Sequence, residues 1–325
     1  MRVFNAHQSS LYFTGKVIDT LDVAPGIDVV NLISQGYYDS FILKLDSSGS
    51  FIWVKQIKGM GDDLPMIPFA DSIGNIYSCG YFTDSADFDP NLGVFSLDAQ
   101  FGNAYLLKLD SNGNFIWAKN YGTPLAGGVA CGGGVAMDKN QNLYLSGYFQ
   151  GTLDFNPGPG VDTIISKGQR DIFICKLDSV GNLKWVKSMG SKKDDDPSWA
   201  IIDSKGNVYI PGVFQDTMDV DPGIGIHNLY CNITFFAYAV GFISKLDSSG
   251  NFIWAQQFGF GNNSAIGLIL DKDENLYGYG YFSETVDFDG TNAVYNLTST
   301  GVDDAIIFKM TSWPTNIPPL PTTDG

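Results

Sequence analysis

Carboxylates recur at matched places along this 325-residue chain. Asp22, Asp87, Asp154, Asp219 and Asp287 each sit in a Thr-x-Asp-Phe stretch or a close variant of it. Four of them have a second oxygen donor two residues on: Asp89, Asn156, Asp221 and Asp289, with Ala24 in that place after Asp22. Alternate residues on an extended segment project to one side. Such pairs, with backbone carbonyls, are the hard oxygen ligands that calcium takes, and calcium is the one cofactor the sequence suggests. The same aspartates have a second use. Each can accept hydrogen bonds from a tight Pro-Gly turn and brace its loop. Asp271 heads a DKDEN run that looks like part of a calcium loop but occupies a turn slot.

Other reactive groups are sparse. The histidines are His7 and His227, and neither sits in a metal-ligand cluster. Nucleophile-elbow, zinc-protease, P-loop and dinucleotide fingerprints are all missing. Paired carboxylates for glycoside hydrolysis stay open, because acidic loops abound. The DSSGNFIW turns resemble the Asp-box of sialidases, but with Asp three residues before Gly rather than two. Cys79, Cys131, Cys175 and Cys231 fall at non-equivalent places and do not decide a redox compartment. Cys79 and Cys175 read as small buried residues. Asn-x-Ser/Thr sequons occur at Asn232, Asn262 and Asn296.

The elements that must position these groups form an internal repeat. One half-unit begins at Leu11, Ile76, Leu143, Val208 and Leu276, at spacings of 65, 67, 65 and 68 residues (LYLSGYFQGTLDFNPG from Leu143). The other begins at Phe41, Tyr105, Phe173 and Phe242, with a truncated IIFKMTS from Ile306 (FILKLDSSGSFIWVK from Phe41). Two turn signals recur in each unit. One is headed by Asp71, Asp138, Asp203 and Asp271, the other by Asp46, Asp110, Asp178 and Asp247. Asp bonds its own turn, and Gly or Asn tolerates the positive φ there. The flanking runs are rich in Tyr, Phe, Ile and Leu, and no 3.6-residue amphipathic period appears. The chain is predicted to be all-β: a β-propeller of five four-stranded blades of about 65 residues each. It covers residues 1–310, with a Pro-rich tail or linker at 311–325.

Within a blade, strand a is short and small-residue-rich, b is the LYLSGYF run, c the FILKLD run and d the FIWAK run. Met1–Asn5 falls on strand a of the first unit. Trp53, Trp117, Trp185 and Trp254 recur on strand d, and their expected work is to fill space between blades. Lys44, Lys108, Lys176, Lys245 and Lys309 recur on strand c. A charge in a packed strand should have a partner. A ring of Lys–Asp pairs is expected near the short turns, with Asp46, Asp110, Asp178 and Asp247, or with the Asp71-type turn residues.

Nineteen Lys and Arg against 35 Asp and Glu give a net charge of −16, which argues against nucleic acid and anionic membranes as partners. At 44% hydrophobic the chain can build a core, and no apolar run approaches a membrane span. The first residues, MRVFNAHQSS, lack a signal-peptide core. The linked motifs DxFILKLDSSGNFIWAK and DSxGNLYLSGYFxGTxDFxPG resemble the secreted bacterial SBBP repeat family over residues 1–310. That resemblance implies a propeller, no fixed activity, and an exported or surface-attached part of a larger protein. The family name implies seven blades where five are counted here, so ring closure is left open.

The a–b and c–d turns should share one face, and the long b–c and d–a connections the other, where binding is expected. The d–a loops include KGMGDDLPM near Gly61 and GSKKDDDPSW near Asp195. Asp194–Asp196 reads as a solvated loop tip or a cation site. Trp199, Phe258 and Phe260 near this face would stack on sugar rings or plug gaps. The expected function is a non-enzymatic, extracellular or cell-surface binding or scaffolding propeller, recognising a glycan or protein through this acidic face. The alternatives are a structural spacer of a larger exported protein and a polysaccharide-degrading enzyme.

Overall fold

The computed structural model describes residues 2–7, 10–24, 26, 28–231, 239–258, 263–288 and 294–310. Among them there is no helix, and every strand pairing is antiparallel. Among the described residues no helix is long and apolar enough to cross a membrane. Asp289, Phe260, Asn232, Asn262 and the 311–325 tail lie outside the described residues.

The repeat is the structural unit. Repeat 1 runs Arg2–His7 (a), Ser10–Val17 (b), Asp39–Asp46 (c) and Phe51–Gly59 (d). Repeat 3 runs Thr123–Met137, Leu143–Asp154, Asp171–Leu177 and Leu183–Met189. In repeats 2 and 4 strand a is broken, into Asp63–Pro65 with Phe69–Ala70 and Asp196–Pro197 with Ile201–Ile202. Pro65, Pro68 and Pro197 have no N–H to give a ladder, so pairing stops there. Strands b, c and d follow as Ile76–Asp87, Ser96–Leu109 and Phe115–Tyr121 in repeat 2. In repeat 4 they are Val208–Phe214, Val240–Leu246 and Phe252–Phe258. Repeat 5 shows Asn263–Leu270, Leu276–Phe282 and Asp304–Met310.

In repeats 2 to 4 both short turns are closed by an Asp–Asn box, and in repeat 1 Ser50 takes the place of Asn in the Asp46 turn. Asp110 Oδ1 accepts from the backbone N–H of Asn112 and Asn114, and Oδ2 from Asn114 Nδ2, each at 2.8 Å. Asp138 makes the same three bonds at 2.8–2.9 Å. The fourth turn residue needs positive φ, as Gly113 has at 77°. Repeats 3 and 5 place Gln141 (φ 62°) and Glu274 (φ 61°) there instead of the Gly or Asn expected. The box holds these residues against a left-handed cost of roughly 1–2 kcal/mol.

Successive sheets stack face to face. Strand a of repeats 2 to 5 lies over strands b and c of the repeat before. The core therefore sits between repeats: Tyr12, Ile42 and Ile57 pack with Tyr105 and Leu107, and Ile172, Ile174 and Met189 with Ile210 and Phe242. One strand-c position shows the rule. Ile42, Leu106, Ile174 and Ile243 are fully buried, whereas Ile307, their counterpart in repeat 5, is 80% exposed. The face of repeat 5 that would receive a following repeat is open.

The tryptophans serve this stacking. Trp53 Nε1 donates to Ser111 O and Trp185 Nε1 to Ser248 O, each in the next repeat, at 3.4 Å. The lysines also reach across: Lys44 Nζ donates to Ser111 O and Lys176 Nζ to Ser248 O, both at 2.9 Å. Two of the repeated lysines pair with a–b turn aspartates, Lys176 with Asp138 at 3.8 Å and Lys245 with Asp203 at 3.4 Å. The c–d aspartates are occupied in their own boxes, which is why the pairing with Asp46-type residues does not form.

Candidate functional site

The b–c connection of each repeat is a small hairpin arm. The paired segments are Thr20–Asp22 with Asn31–Ile33, residues 84–87 with 96–99, and residues 152–154 with Thr163–Ile165. In repeats 4 and 5 they are Met218–Asp219 with Asn228–Leu229 and Thr285–Asp287 with Asn296–Thr298. The repeated aspartate is the last paired residue before each tip. Asp154 Oδ1 accepts from Asn156 N at 2.9 Å and Asp162 N at 2.8 Å. Asp22, Asp87 and Asp219 bond residues two and eight further on in the same way, at 2.8–3.1 Å. Asp287 takes Tyr295 N at 2.8 Å.

The second oxygens work one step further out. Asp89 Oδ1 accepts from Asn91 N at 3.0 Å, Asn156 Oδ1 from Gly158 N at 2.8 Å and Asp221 Oδ1 from Gly223 N at 2.7 Å. Asn156 Nδ2 also donates to Asp162 Oδ2 at 2.7 Å. The geometry is that of a braced turn in every arm whose bonds are described. Among the described residues no three His, Cys, Asp or Glu side chains converge on a metal-sized space.

The residue after each aspartate is the anchor. Phe88, Phe155 and Val220 are fully buried, with Phe88 5.0 Å from Tyr105 and Phe155 4.6 Å from Phe173 between ring centroids. So the Asp-Phe pair does two jobs: Phe roots the arm in the core and Asp holds the tip rigid. The tips carry aliphatic side chains in open solvent. Leu92 and Ile224 are as exposed as in an extended chain (105% and 107%), and Val29, Val94, Val161, Ile226 and Val294 are exposed as well. The sequence reading saw this face as acidic and missed these residues. Their signal was an isolated aliphatic among Asp, Asn, Gly and Pro in successive repeats.

The d–a loops hold buried acids. Asp195 N donates to Arg170 O at 2.8 Å, and Asp63 N donates to Tyr38 O at 2.7 Å, so the two occupy equivalent places. Asp195 is fully buried and takes both the N–H and hydroxyl of Ser191. Burial, with Asp171 nearby, pushes its carboxyl up to about 8. Burial also pushes Asp171 up to about 6. Its neighbours clamp Arg170: Asp194 Oδ1 lies 3.1 Å from Nε and Asp196 Oδ2 3.4 Å from Nη2. Arg170 covers the Tyr148 ring at 5.0 Å. Asp194–Asp196 is thus an ion-paired and partly buried corner, not a solvated tip. The desolvation of Asp195 is made tolerable by Ser191 and by a raised pKa.

Of the aromatic residues considered for sugar stacking, two lie among the described residues, Phe258 and Trp199. Phe258 is buried and lies 5.1 Å from Phe308, and Trp199 is half-buried against Gly134 of repeat 3. His227 lies over Phe252 at 4.8 Å, and its burial lowers its pKa. None of the four cysteines, all among the described residues, is in a disulfide.

No family model matches the chain. An uncharacterised WD repeat-containing protein of Acanthamoeba polyphaga mimivirus is 27% identical over 179 residues, 51% of this chain and 13% of that protein. The chain thus aligns with a small part of that relative's length. The likeness agrees with a repeated all-β architecture.

Proposed function

We propose that this chain is a β-propeller-type, non-enzymatic scaffold that grips a protein partner with the arm tips of its long-loop face. Five four-stranded blades set about one axis would bring the arms to one rim, with the open face of repeat 5 at the seam toward repeat 1. The likeness to a WD repeat-containing protein supports the propeller reading. The resemblance to exported repeats supports an extracellular or cell-surface setting.

The observation that carries the proposal is the recurrence of exposed aliphatic side chains on rigid, aspartate-braced tips. Single exposed apolar residues need no explanation, but recurrence at equivalent places marks an interaction surface. A braced loop loses little entropy on binding. Aliphatic tips suit a protein better than a sugar, and Phe258 is committed to packing on Phe308.

The test is a selection of displayed random peptides on the folded, immobilised chain, run beside a glycan array. Peptides with apolar anchors should be enriched and the array should stay silent. Glycan hits without peptide enrichment would replace this reading with the lectin one.

A further inference from the structure

The repeats fall into two classes that alternate. Repeats 1, 3 and 5 carry Ser-x-Gly-x-x-Asp between the arm and strand c, at residues 34–39, 166–171 and 299–304. The loop is bonded the same way each time. The Asp Oδ2 accepts from the backbone N–H four residues earlier, at 3.1, 2.9 and 2.9 Å. The Ser Oγ accepts from the N–H of Asp19, Gly151 and Glu284, at 2.9–3.0 Å. Strand b of this odd class carries a hydroxyl at Thr14, Ser146 and Tyr279. Repeats 2 and 4, the even class, have Asn103 and Val240 for the Asp and Cys79 and Pro211 for the hydroxyl. The broken strand a is theirs alone among the described residues.

In repeats 1 and 3 the loop cradles the even repeat that follows. The N–H of Asp63 donates to Tyr38 O at 2.7 Å and that of Asp195 to Arg170 O at 2.8 Å. Thr14 Oγ1 donates to Met66 O at 2.9 Å, and Ser146 Oγ accepts from Ala200 N at 3.4 Å, both in the gap of the broken strand. A Cβ on Gly36 would strike the Met60 carbonyl, and one on Gly168 the backbone of Lys192. Asp39 and Asp171 are buried as a result. Repeat 5 has the same cradle, and it is open. Among the described residues nothing lies within 4 Å of a Cβ on Gly301. Asp304 is half-buried, and Tyr279 and Ile307 are exposed. Repeat 1 is a poor match for this face, because its own strand a, Arg2–His7, is unbroken. Its arrival would set two odd repeats side by side, whereas alternating classes close a ring only in even number.

We propose that the open face of repeat 5 is the docking face for one further repeat of the even class, in tandem with this chain. It would enter with an Asp-x-Pro strand a, as Asp63–Pro65 and Asp195–Pro197 do. Its Asp N–H would donate to Asp303 O, its loop backbone would lie on Gly301, and the gap in its strand a would meet Tyr279. The two filled cradles carry the inference, since in a stacked array each repeat meets only its neighbours and one interface serves as the pattern for the next. The added repeat fills the seam beside repeat 1 and is independent of the arm tips.

The test extends the full chain through a flexible linker with a copy of one of its own repeats. The even-class copies are residues 58–121 and 190–258, and the odd-class copy is residues 122–189. Hydroxyl-radical labelling of Tyr279 and Ile307 is read by mass spectrometry. An even copy should lower labelling of both about tenfold, and the odd copy should leave it unchanged. Gly301→Ala should not move the melting point of the unextended chain, and in the extended chain it should restore full labelling. Three results overturn the proposal. One is no protection from either even copy. Another is equal protection from the odd copy. The third is a face already protected in the unextended chain, by its own repeat 1 or, where protection grows with concentration, by a second copy.

Discussion

Replacing Asp195 by Asn should make the protein more stable at alkaline pH and leave it nearly unchanged in mild acid. Asp195 is fully buried, and its carboxyl is raised from 3.8 to about 8. A raised carboxyl binds its proton more tightly in the folded than in the unfolded state. Stability is therefore fullest below the unfolded value, falls as pH rises through the window up to about 8, and is flat above it. At about 1.4 kcal/mol per pKa unit, the ceiling on the loss is roughly 5–6 kcal/mol. Relaxation of the corner and water entry at the rim bring this to about 2–3 kcal/mol. Asparagine keeps the shape, still accepts from Ser191 and never ionises. Urea midpoints should coincide within about 1 kcal/mol near pH 5 and separate by about 2–3 kcal/mol near pH 9, with the variant ahead. If Asp195→Asn is no more stable than wild type near pH 9, the carboxylate is solvated and the buried-corner reasoning is wrong.

The stacking rule makes a paired prediction. Ile174→Ala, at a fully buried position, should cost about 2–5 kcal/mol, while Ile307→Ala, at 80% exposure, should stay within about 0.5 kcal/mol. Equal losses in chemical denaturation would mean that repeat 5 is covered like the others. Asp154→Ala removes two acceptor bonds from its arm. It should speed amide exchange across residues 155–162 at least tenfold, with chelator making no difference, and lower global stability by about 1 kcal/mol or less. Exchange that quickens only in the presence of chelator would return the arm aspartates to metal binding.

Much of the scaffold could be read from residues alone, because two motifs recur in register and each turn carries its own Asp–Asn chemistry. The lysine partners were half legible. Lys176 needed a carboxylate, but strand alternation suggested Asp178, and only the sheet geometry shows Asp178 committed to its own turn while Asp138 stands opposite. The arms were read as loops because a paired stretch such as Met218–Asp219 is too short to show a two-residue period. Burial of Asp63 and Asp195 was illegible: DDLP and DDDP look like solvent-facing runs, and only the sheet of the preceding repeat covers them. The aliphatic tips were hidden for the opposite reason, since a lone Leu92 or Ile224 in a polar loop has no pattern of its own.

The central claim, that rigid aliphatic arm tips hold a protein partner, is tested most directly by one affinity comparison. A peptide selected on the wild type is titrated against wild-type chain and against Leu92→Ser with Ile224→Ser. Both residues are fully exposed, so the variant should keep its melting point. The account predicts at least a tenfold weaker Kd for the variant, or about 1.4 kcal/mol. Undiminished affinity in a fully folded variant would contradict it and move the binding surface away from the arms.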